Sequence, residues 1–167
     1  MRLNTRNAIL LSGALWMGVG ILLLTKGRCY LVDGGNAVIN GTHEGFSLIK
    51  KLTEYTKNPE QAALILICAA LLIGFFKGRV VFKKTVNRVV DRIRSQPSPV
   101  SLKKVYSKGY LFLIGGMMCM GMFFKWLPLP LDVKGFIDFT IGAALVNGSM
   151  LYFRAAFTRQ TNTISEK

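Results

Sequence analysis

Residues 58–76 read NPEQAALILICAALLIGFF, in which a helix start is followed by a long run without charged residues. Asn58 is a favourable N-cap, Pro59 suits the first helical position, and Glu60 interacts favourably with the positive end of a helix. Extended back to these flanks, the run approaches the roughly 20 apolar residues that a helix needs to cross a bilayer. It predicts a membrane-spanning helix that begins at Pro59.

Three other segments have the same apolar character, and the four predicted spans are residues 8–25, 59–76, 109–125 and 133–153. The chain of 167 residues is 51% hydrophobic and only 18% charged, with a mean hydropathy of +0.37. Soluble domains carry roughly 25% charged residues, so this composition lies outside their range and also excludes a disordered chain. We therefore expect an all-α integral membrane protein, a single domain in which four transmembrane helices form a bundle.

The second span is predicted to continue beyond the membrane as a helical extension. Beyond residue 76, apolar residues recur at the four-three-four spacing of one helix face: Phe82, Val86, Val89 and Ile93. The helix is expected to end near Arg94, because Pro97 and Pro99 remove backbone donors and push the preceding residues out of helical geometry.

Charge is distributed unevenly over the segments that join the predicted spans. The net charge is +14, from 22 Lys and Arg against 8 Asp and Glu. Residues 77–108 contain ten of these cations and a single acid, Asp91, whereas the predicted outer loop, residues 26–58, is more mixed. Because loops rich in Lys and Arg stay in the cytoplasm, we expect this basic segment and both termini to be cytoplasmic. The predicted location is the plasma (inner) membrane of a bacterium.

The basic segment also predicts a partner. Cations that flank an apolar helix face beside a span lie next to lipid headgroups, and each contributes about 1 kcal/mol at an anionic membrane surface. We expect contacts with membrane lipids, through anionic headgroups at the cytoplasmic face. The candidate residues are Lys83, Lys84, Arg88, Arg92, Lys103 and Lys104. A membrane-protein partner is the alternative, and nucleic acid, although attracted by the same charge, is not expected.

Two local structures are predicted in the outer loop. Residues 33–36, DGGN, lie between short apolar segments and have the composition of a tight turn, as in a short hairpin. Farther along, apolar residues recur at helical spacing with Lys and Glu between them: Phe46, Ile49, Leu52 and Tyr55. This spacing predicts an amphipathic helix that lies on the membrane surface or over the bundle, or that docks another protein.

Two predicted spans share a short sequence. Residues 67–74, ICAALLIG, and residues 141–148, IGAALVNG, are identical at five of eight positions. The match indicates either two duplicated helical hairpins or a chance similarity, which is common between segments built from a few kinds of apolar residue. Small residues four apart let helix backbones approach closely in lipid. We therefore predict helix packing at Gly18, Ala70, Gly74, Gly78, Gly116, Ala144 and Gly148.

Polar groups inside the predicted spans are candidates for function, because they are costly in hydrocarbon. Asp138 and Asn147 in the fourth span and Lys125 at the end of the third are the candidate intramembrane polar contacts. A structural pairing of Lys125 with Asp138 or Asp132 is one interpretation, and a role in transport is the other. Nine residues separate Asp138 from Asn147, about two and a half turns, so they lie on opposite helix faces. We expect one face to meet the bundle and the other a second copy or a partner.

Signatures of catalysis are missing from the sequence. His43 is the one histidine, and with Asp33 and Glu44 it forms the only conceivable catalytic grouping. Three cysteines are an odd number and two of them lie in predicted spans, so neither a disulfide framework nor a metal site is expected, and no cofactor either. We predict a non-enzymatic accessory or scaffold subunit of a membrane complex. The alternatives are a small oligomeric transporter or channel and, more remotely, an enzyme acting on lipid headgroups.

Overall fold

The computed structural model describes residues 2–42, 46–95, 100–101, 119, 123 and 126–158. This part of the chain is helical apart from one pairing of two-residue strands. Its elements, in chain order, are β1 (Arg2–Leu3), α1 (Thr5–Ile39), α2 (Leu48–Thr56), α3 (Pro59–Arg94), β2 (Val100–Ser101) and α4 (Leu131–Phe157). Three of them, α1, α3 and α4, are long and apolar enough to cross a membrane. The predicted third span, residues 109–125, lies outside the described residues apart from positions 119 and 123.

Helix α1 is longer than the predicted first span, because it continues without a break into the expected outer loop. Its 35 residues extend about 52 Å at 1.5 Å per residue. The prediction of a loop from residue 26 is therefore wrong as far as Ile39, and so is the prediction of a turn at residues 33–36. The reason is packing: a Cβ at Gly34 would lie 3.1 Å from the Asp132 Cβ. This close approach of α4 outweighs the low helix propensity of the glycine.

Helix α2 is the amphipathic helix that the apolar spacing predicts, and its existence is confirmed. Ser47 caps it, because its hydroxyl oxygen accepts a hydrogen bond from the Lys50 backbone N–H at 3.1 Å. Lys57 ends it in the left-handed conformation, with a φ of 58°. Ile49 is fully buried, and the helix packs mainly against α3. Helix α2 therefore lies over the bundle.

Helix α3 begins and ends where the sequence predicts. The Asn58 side-chain oxygen accepts a hydrogen bond from the Glu60 backbone N–H at 3.2 Å, and Pro59 stands at the first helical position. The helix ends at Arg94, so both predicted bounds are confirmed. The second half of α3 buries one face against α1 and α4, through Val86, Val90 and Ile93.

Helix α4 is the central helix of the bundle and packs against both α1 and α3. Successive contacts between α1 and α4 run in opposite directions along the two helices. Gly27 lies against Phe139, whereas Gly13 lies against Tyr152, farther along α4. The two helices are therefore antiparallel.

The contacts between α3 and α4 run in the same direction, since Gly74 lies against Thr140 and Phe82 against Gly148. The amino end of α1 and the carboxyl ends of α3 and α4 consequently lie together, at what we call the basic end of the bundle. There β1 pairs antiparallel with β2. The opposite end carries α2, and we call it the α2 end.

Two apolar clusters form the core. The larger one, towards the basic end, joins all three long helices through Ala8, Ile9, Trp16, Val86, Val90, Ile93, Leu145 and Tyr152. The rings of Trp16 and Phe82 meet edge to face, with centroids 5.9 Å apart and an interplanar angle of 72°. The smaller cluster, towards the α2 end, consists of Leu31, Ala70 and Phe139.

Candidate functional site

A row of glycines seven residues apart forms the seam between α1 and α4. A Cβ at Gly27 would lie 2.6 Å from the Phe139 backbone nitrogen, and one at Gly20 would lie 3.0 Å from the Gly142 carbonyl oxygen. A Cβ at Gly142 would in turn lie 2.8 Å from the Gly20 carbonyl oxygen. The backbones are in direct contact, so the seam has no room for a water path. The row consists of Gly13, Gly20, Gly27 and Gly34 on α1 and Gly135 and Gly142 on α4.

The row on α1 differs from the packing face that the sequence predicts for this helix. Gly18 is exposed, and a Cβ there would meet nothing within 4 Å. The prediction that Gly18 packs against another helix is therefore wrong for the described part of the chain. The physical reason is that contacts of α1 with α4 recur every seven residues, whereas the prediction rests on small residues four apart. A glycine at every seventh position from 13 to 34 is the signal that identifies the seam.

A second close seam joins α3 to α4. A Cβ at Gly74 would lie 2.6 Å from the Thr140 carbonyl oxygen, and one at Gly78 would lie 2.7 Å from the Ala144 carbonyl oxygen. A Cβ at Gly148 would lie 3.0 Å from the Phe82 ring. The structure thus brings four of the predicted packing residues to this seam, namely Gly74, Gly78, Ala144 and Gly148. Ala70 is buried against Leu31 and Phe139, and Gly116 lies outside the described residues.

Asp132 is a buried carboxylate at the α2 end. Its Oδ2 accepts hydrogen bonds from the Ser47 hydroxyl at 2.8 Å and from the Ile49 backbone N–H at 3.0 Å, while its Oδ1 accepts one from the Val133 N–H at 2.9 Å. The carboxylate therefore lies at the amino ends of α2 and α4 together, where the partial positive charge of a helix stabilises an anion. Its contacts fix the position of α2 on the bundle.

Asp138 pairs with α1. Its Oδ2 lies 3.9 Å from the Lys26 Nζ, and the side chains are 20% and 51% exposed respectively. The Lys26 ammonium also lies 5.5 Å from the centre of the Tyr30 ring. In the described structure, Lys26 thus occupies the position that the sequence analysis assigns to Lys125. Lys125 itself lies outside the described residues.

Asn147 lies on the other face of α4, where its amide donates a hydrogen bond to the Ala143 carbonyl oxygen of the preceding turn at 3.3 Å. Both faces of α4 are covered within the chain, because Gly142 lies against α1 and Ala144 lies against α3. In the described structure α1, which is longer than predicted, lies against the face that carries Asp138, and α3 lies against the face that carries Asn147. A contact of α4 with a second copy or a partner stays a prediction.

The basic end gathers cations from α1 and α3, and two of them contact the end of α4. Arg94 donates a hydrogen bond to the Ala155 carbonyl oxygen at 2.9 Å, and the Arg6 guanidinium lies 5.2 Å from the centre of the Phe157 ring. The outward side of α3 adds a row of exposed cations. Of the predicted lipid contacts, it carries Lys83, Lys84, Arg88 and Arg92, while Lys103 and Lys104 lie outside the described residues.

Large apolar side chains cover much of the outward surface of α1 and α3. Leu22 is 71% exposed, Leu72 is 72% exposed and Phe76 is 73% exposed. The outer faces of α1 and α3 thus have the apolar character of helices that are able to cross a membrane.

Over the described residues, no group of three or more His, Cys, Asp or Glu side chains is arranged to hold a metal ion. The predicted grouping around His43 involves His43 and Glu44, which lie outside these residues. Comparison of the chain with known protein families, with curated proteins and with solved structures finds no match.

Proposed function

We propose that this chain is an integral membrane protein with four membrane-spanning helices, three of them α1, α3 and α4 and the fourth formed by residues 109–125. In this proposal it acts as a non-enzymatic accessory or scaffold subunit of a membrane complex. Its place is the plasma membrane of a bacterial cell, with the basic end in the cytoplasm.

The observation that carries this proposal is the closure of both seams around α4. At Gly27, Gly74 and Gly78 an added Cβ would lie 2.6 to 2.7 Å from backbone atoms of α4. Helices α1 and α3 thus each touch α4 along their backbones, and neither of these two seams leaves space for a pore. Such a bundle is suited to contact other subunits through its outer surfaces and its ends, as a scaffold does.

The two ends supply surfaces for such a role. At the basic end, Lys83, Lys84, Arg88 and Arg92 all point away from the core. Phosphate groups of anionic lipids are the partner nearest to cations beside a membrane span, and each contact contributes about 1 kcal/mol. At the α2 end, the outward side of α2 exposes Lys50, Lys51 and Glu54 and offers a mixed, polar surface to a protein partner.

Transport is the second candidate function, and the pair of Lys26 and Asp138 is the observation that favours it. The pair lies within the long helices, its separation of 3.9 Å is loose, and the carboxylate is partly exposed. A charged pair at such a place is a standard element of ion and proton pathways.

Purification of the tagged protein from its native membrane in mild detergent, with mass determination of the intact complex, tests the proposal. We expect foreign subunits in a fixed stoichiometry. A clean homo-oligomer would contradict the scaffold role and favour transport.

Two matched double variants locate the docking surface. Lys83→Glu with Lys84→Glu reverses charge at the basic end, and Lys50→Glu with Lys51→Glu makes the same change on α2. If the basic end binds the complex, only the first pair releases the foreign subunits. Release by neither pair would exclude both surfaces.

A further inference from the structure

Helix α3 carries exposed cations along one side, which we call the cation row. The row consists of Lys77, Lys84, Arg88 and Arg92. These residues are seven, four and four positions apart, so they lie within a sector of about 80° around the helix axis, at about 100° per residue. From its first residue to its last, the row extends about 22 Å along the helix.

The cation row runs along the bundle, because the opposite side of the same segment is packed. Val86, Val90 and Ile93 are 1–4% exposed and belong to the core cluster that α3 shares with α1 and α4. The segment is therefore held against the bundle and does not lie flat on a membrane surface. Its cations consequently occupy successive depths.

A layer of lipid headgroups is too thin to meet the whole row. The headgroup layer of one leaflet is about 5–7 Å thick, and the mean tilt of membrane helices, about 20°, shortens the row by only about 1 Å. Five bonds of about 1.5 Å give a lysine side chain a reach of about 6 Å. Such a reach from both ends still leaves about 9 Å between the charged groups, more than the layer spans.

The far end of the row lies outside the bilayer if the bilayer follows the uncharged part of α3, residues 61–76. Arg88 and Arg92 follow residue 76 by 12 and 16 residues, which corresponds to about 18 and 24 Å. Both residues then project into the cytoplasm, beyond the lipid phosphates.

Two contacts show which part of α1 lies level with the row. Gly20 of α1 lies against residues 142 and 146 of α4, and Gly78 of α3 lies against residue 144 between them. These two glycines therefore mark one level of the bundle. Because α1 and α3 run in opposite directions, residue 16 of α1 lies level with residue 82 of α3.

The row lies inside the bilayer if the bilayer follows α1 instead. Residues 7–25 of α1 carry no charge, and residue 16 is their midpoint. Lys84 then lies about 3 Å from the middle of the membrane, at 1.5 Å per residue. A cation at this depth is costly in lipid and is paired with another polar group in membrane proteins.

In both placements, part of the row needs an anionic partner other than a lipid headgroup. We infer that this partner is an acidic surface of a foreign membrane subunit, which extends about 22 Å along α3 and pairs its carboxylates with the cation row. Pairs of carboxylates with Lys and Arg are strong, charge-assisted hydrogen bonds. The inference rests on the proposed scaffold role and names the surface and the chemistry of the contact. Lipid headgroups then meet only the cations at one level of the row.

A second copy of this chain does not supply the acids. The whole chain has 8 Asp and Glu against 22 Lys and Arg. Among the described residues of the basic half, which are 2–20, 78–95, 100–101 and 144–158, Asp91 is the single acid. A copy in the same orientation therefore offers the row either cations or an uncharged surface.

The surface beside the row also suits a protein better than a nucleic acid. Val80 is 65% exposed between Lys77 and Lys84, and Asp91 is exposed between Arg88 and Arg92. An apolar side chain and a carboxylate match the mixed surface of a protein subunit. The same carboxylate repels a phosphate backbone, whose binding depends on neutralisation by cations.

Photo-crosslinking in native membranes tests the inference on the full-length protein. A photoreactive phenylalanine analogue replaces Val80 or Ser95, which are exposed towards the two ends of the row and carry no charge. After illumination, the tagged protein is isolated under denaturing conditions, and mass spectrometry identifies the attached peptide. We expect both positions to capture one foreign protein, through peptides that carry several Asp or Glu residues.

Charge variants show whether the cations hold this partner. Arg88→Glu with Arg92→Glu is expected to abolish the cross-link at position 95, whereas Arg88→Lys with Arg92→Lys retains it. Lys50→Glu with Lys51→Glu makes the same change of charge on α2 and also retains it. All these side chains are exposed, and we expect each variant to keep the parental melting temperature.

An exchange of charges completes the test. Replacement of the captured acidic residues by Lys is expected to restore the cross-link in the variant with Arg88→Glu and Arg92→Glu. A cross-link that survives the charge reversal, or that the exchange does not restore, would show that the contact does not depend on these charges and would overturn the inference.

Other adducts would also overturn it. A phospholipid at both positions would show that lipid covers the row, a peptide of this chain would show a second copy, and a nuclease-sensitive adduct would show nucleic acid. Absence of any adduct, with foreign subunits present in the purified complex, would show that they dock elsewhere, while the scaffold role would stand. A complex without foreign subunits would contradict the proposed function itself.

Discussion

The Ser47 hydroxyl donates a hydrogen bond to the Asp132 carboxylate at 2.8 Å and so joins two helix starts that are 85 residues apart in the chain. The same carboxylate oxygen accepts the Ile49 backbone N–H at 3.0 Å. One buried side chain therefore determines where α2 lies on the bundle.

Replacement of this carboxylate is expected to release α2. Asp132→Ala leaves the Ser47 hydroxyl and the Ile49 N–H without an acceptor, and an unsatisfied buried donor costs about 1–3 kcal/mol. We expect faster hydrogen exchange of the α2 amides and a lower melting temperature in detergent. Asp33→Ala removes an exposed aspartate from α1 and is the control. Unchanged protection of α2 in Asp132→Ala would show that other contacts hold the helix.

The glycine seam predicts a sharp difference between two positions on α1. Gly27→Leu forces a side chain into the Phe139 backbone, 2.6 Å from the position of its Cβ, and overpacking of this kind costs about 1–3 kcal/mol or more. Gly18→Leu adds the same side chain where nothing lies within 4 Å. We expect a lower melting temperature for Gly27→Leu alone. Equal melting temperatures would show that α1 does not pack on α4 through this row.

Asp138→Asn separates the two candidate functions. The Lys26 Nζ lies 3.9 Å from the Asp138 Oδ2, and the lysine side chain is 51% exposed. Exposed ion pairs contribute about 0–1 kcal/mol to the free energy of unfolding. We therefore expect a small change in melting temperature and full recovery of the native complex. A transport activity in vesicles that is present in the parent and abolished by Asp138→Asn, but retained in Asp33→Asn, would favour the transporter.

The orientation of the bundle can be checked with a membrane-impermeant maleimide on spheroplasts, whose plasma membrane is intact. With Cys68 and Cys119 replaced by Ser, we expect labelling of Cys29, which is exposed near the α2 end. In a variant that also carries Cys29→Ser and Arg88→Cys, labelling is expected only after permeabilisation, because basic segments stay in the cytoplasm. The reverse pattern would place the basic end outside.

Local sequence patterns are sufficient for α3 and α2. Asn58, Pro59 and Glu60 specify the start of α3, and the four-three-four spacing carries it to Arg94. The spacing around Ile49 likewise specifies α2. These features are predictable because capping and amphipathic periodicity are interactions between residues a few positions apart.

The course of α1 beyond residue 26 and the partners of the polar residues depend on contacts between distant parts of the chain. Residues 33–36 have the composition of a turn, and they are helical because Gly34 brings the backbone against Asp132. Asp138 meets Lys26 because α1 continues as a helix past residue 26, where the sequence predicts a loop. The sequence alone determines the helical, apolar character of this protein and the extent of α3, since both are local properties. Only the tertiary structure decides which glycines form the seams, because the lack of a side chain allows close approach only where a second helix lies against that position.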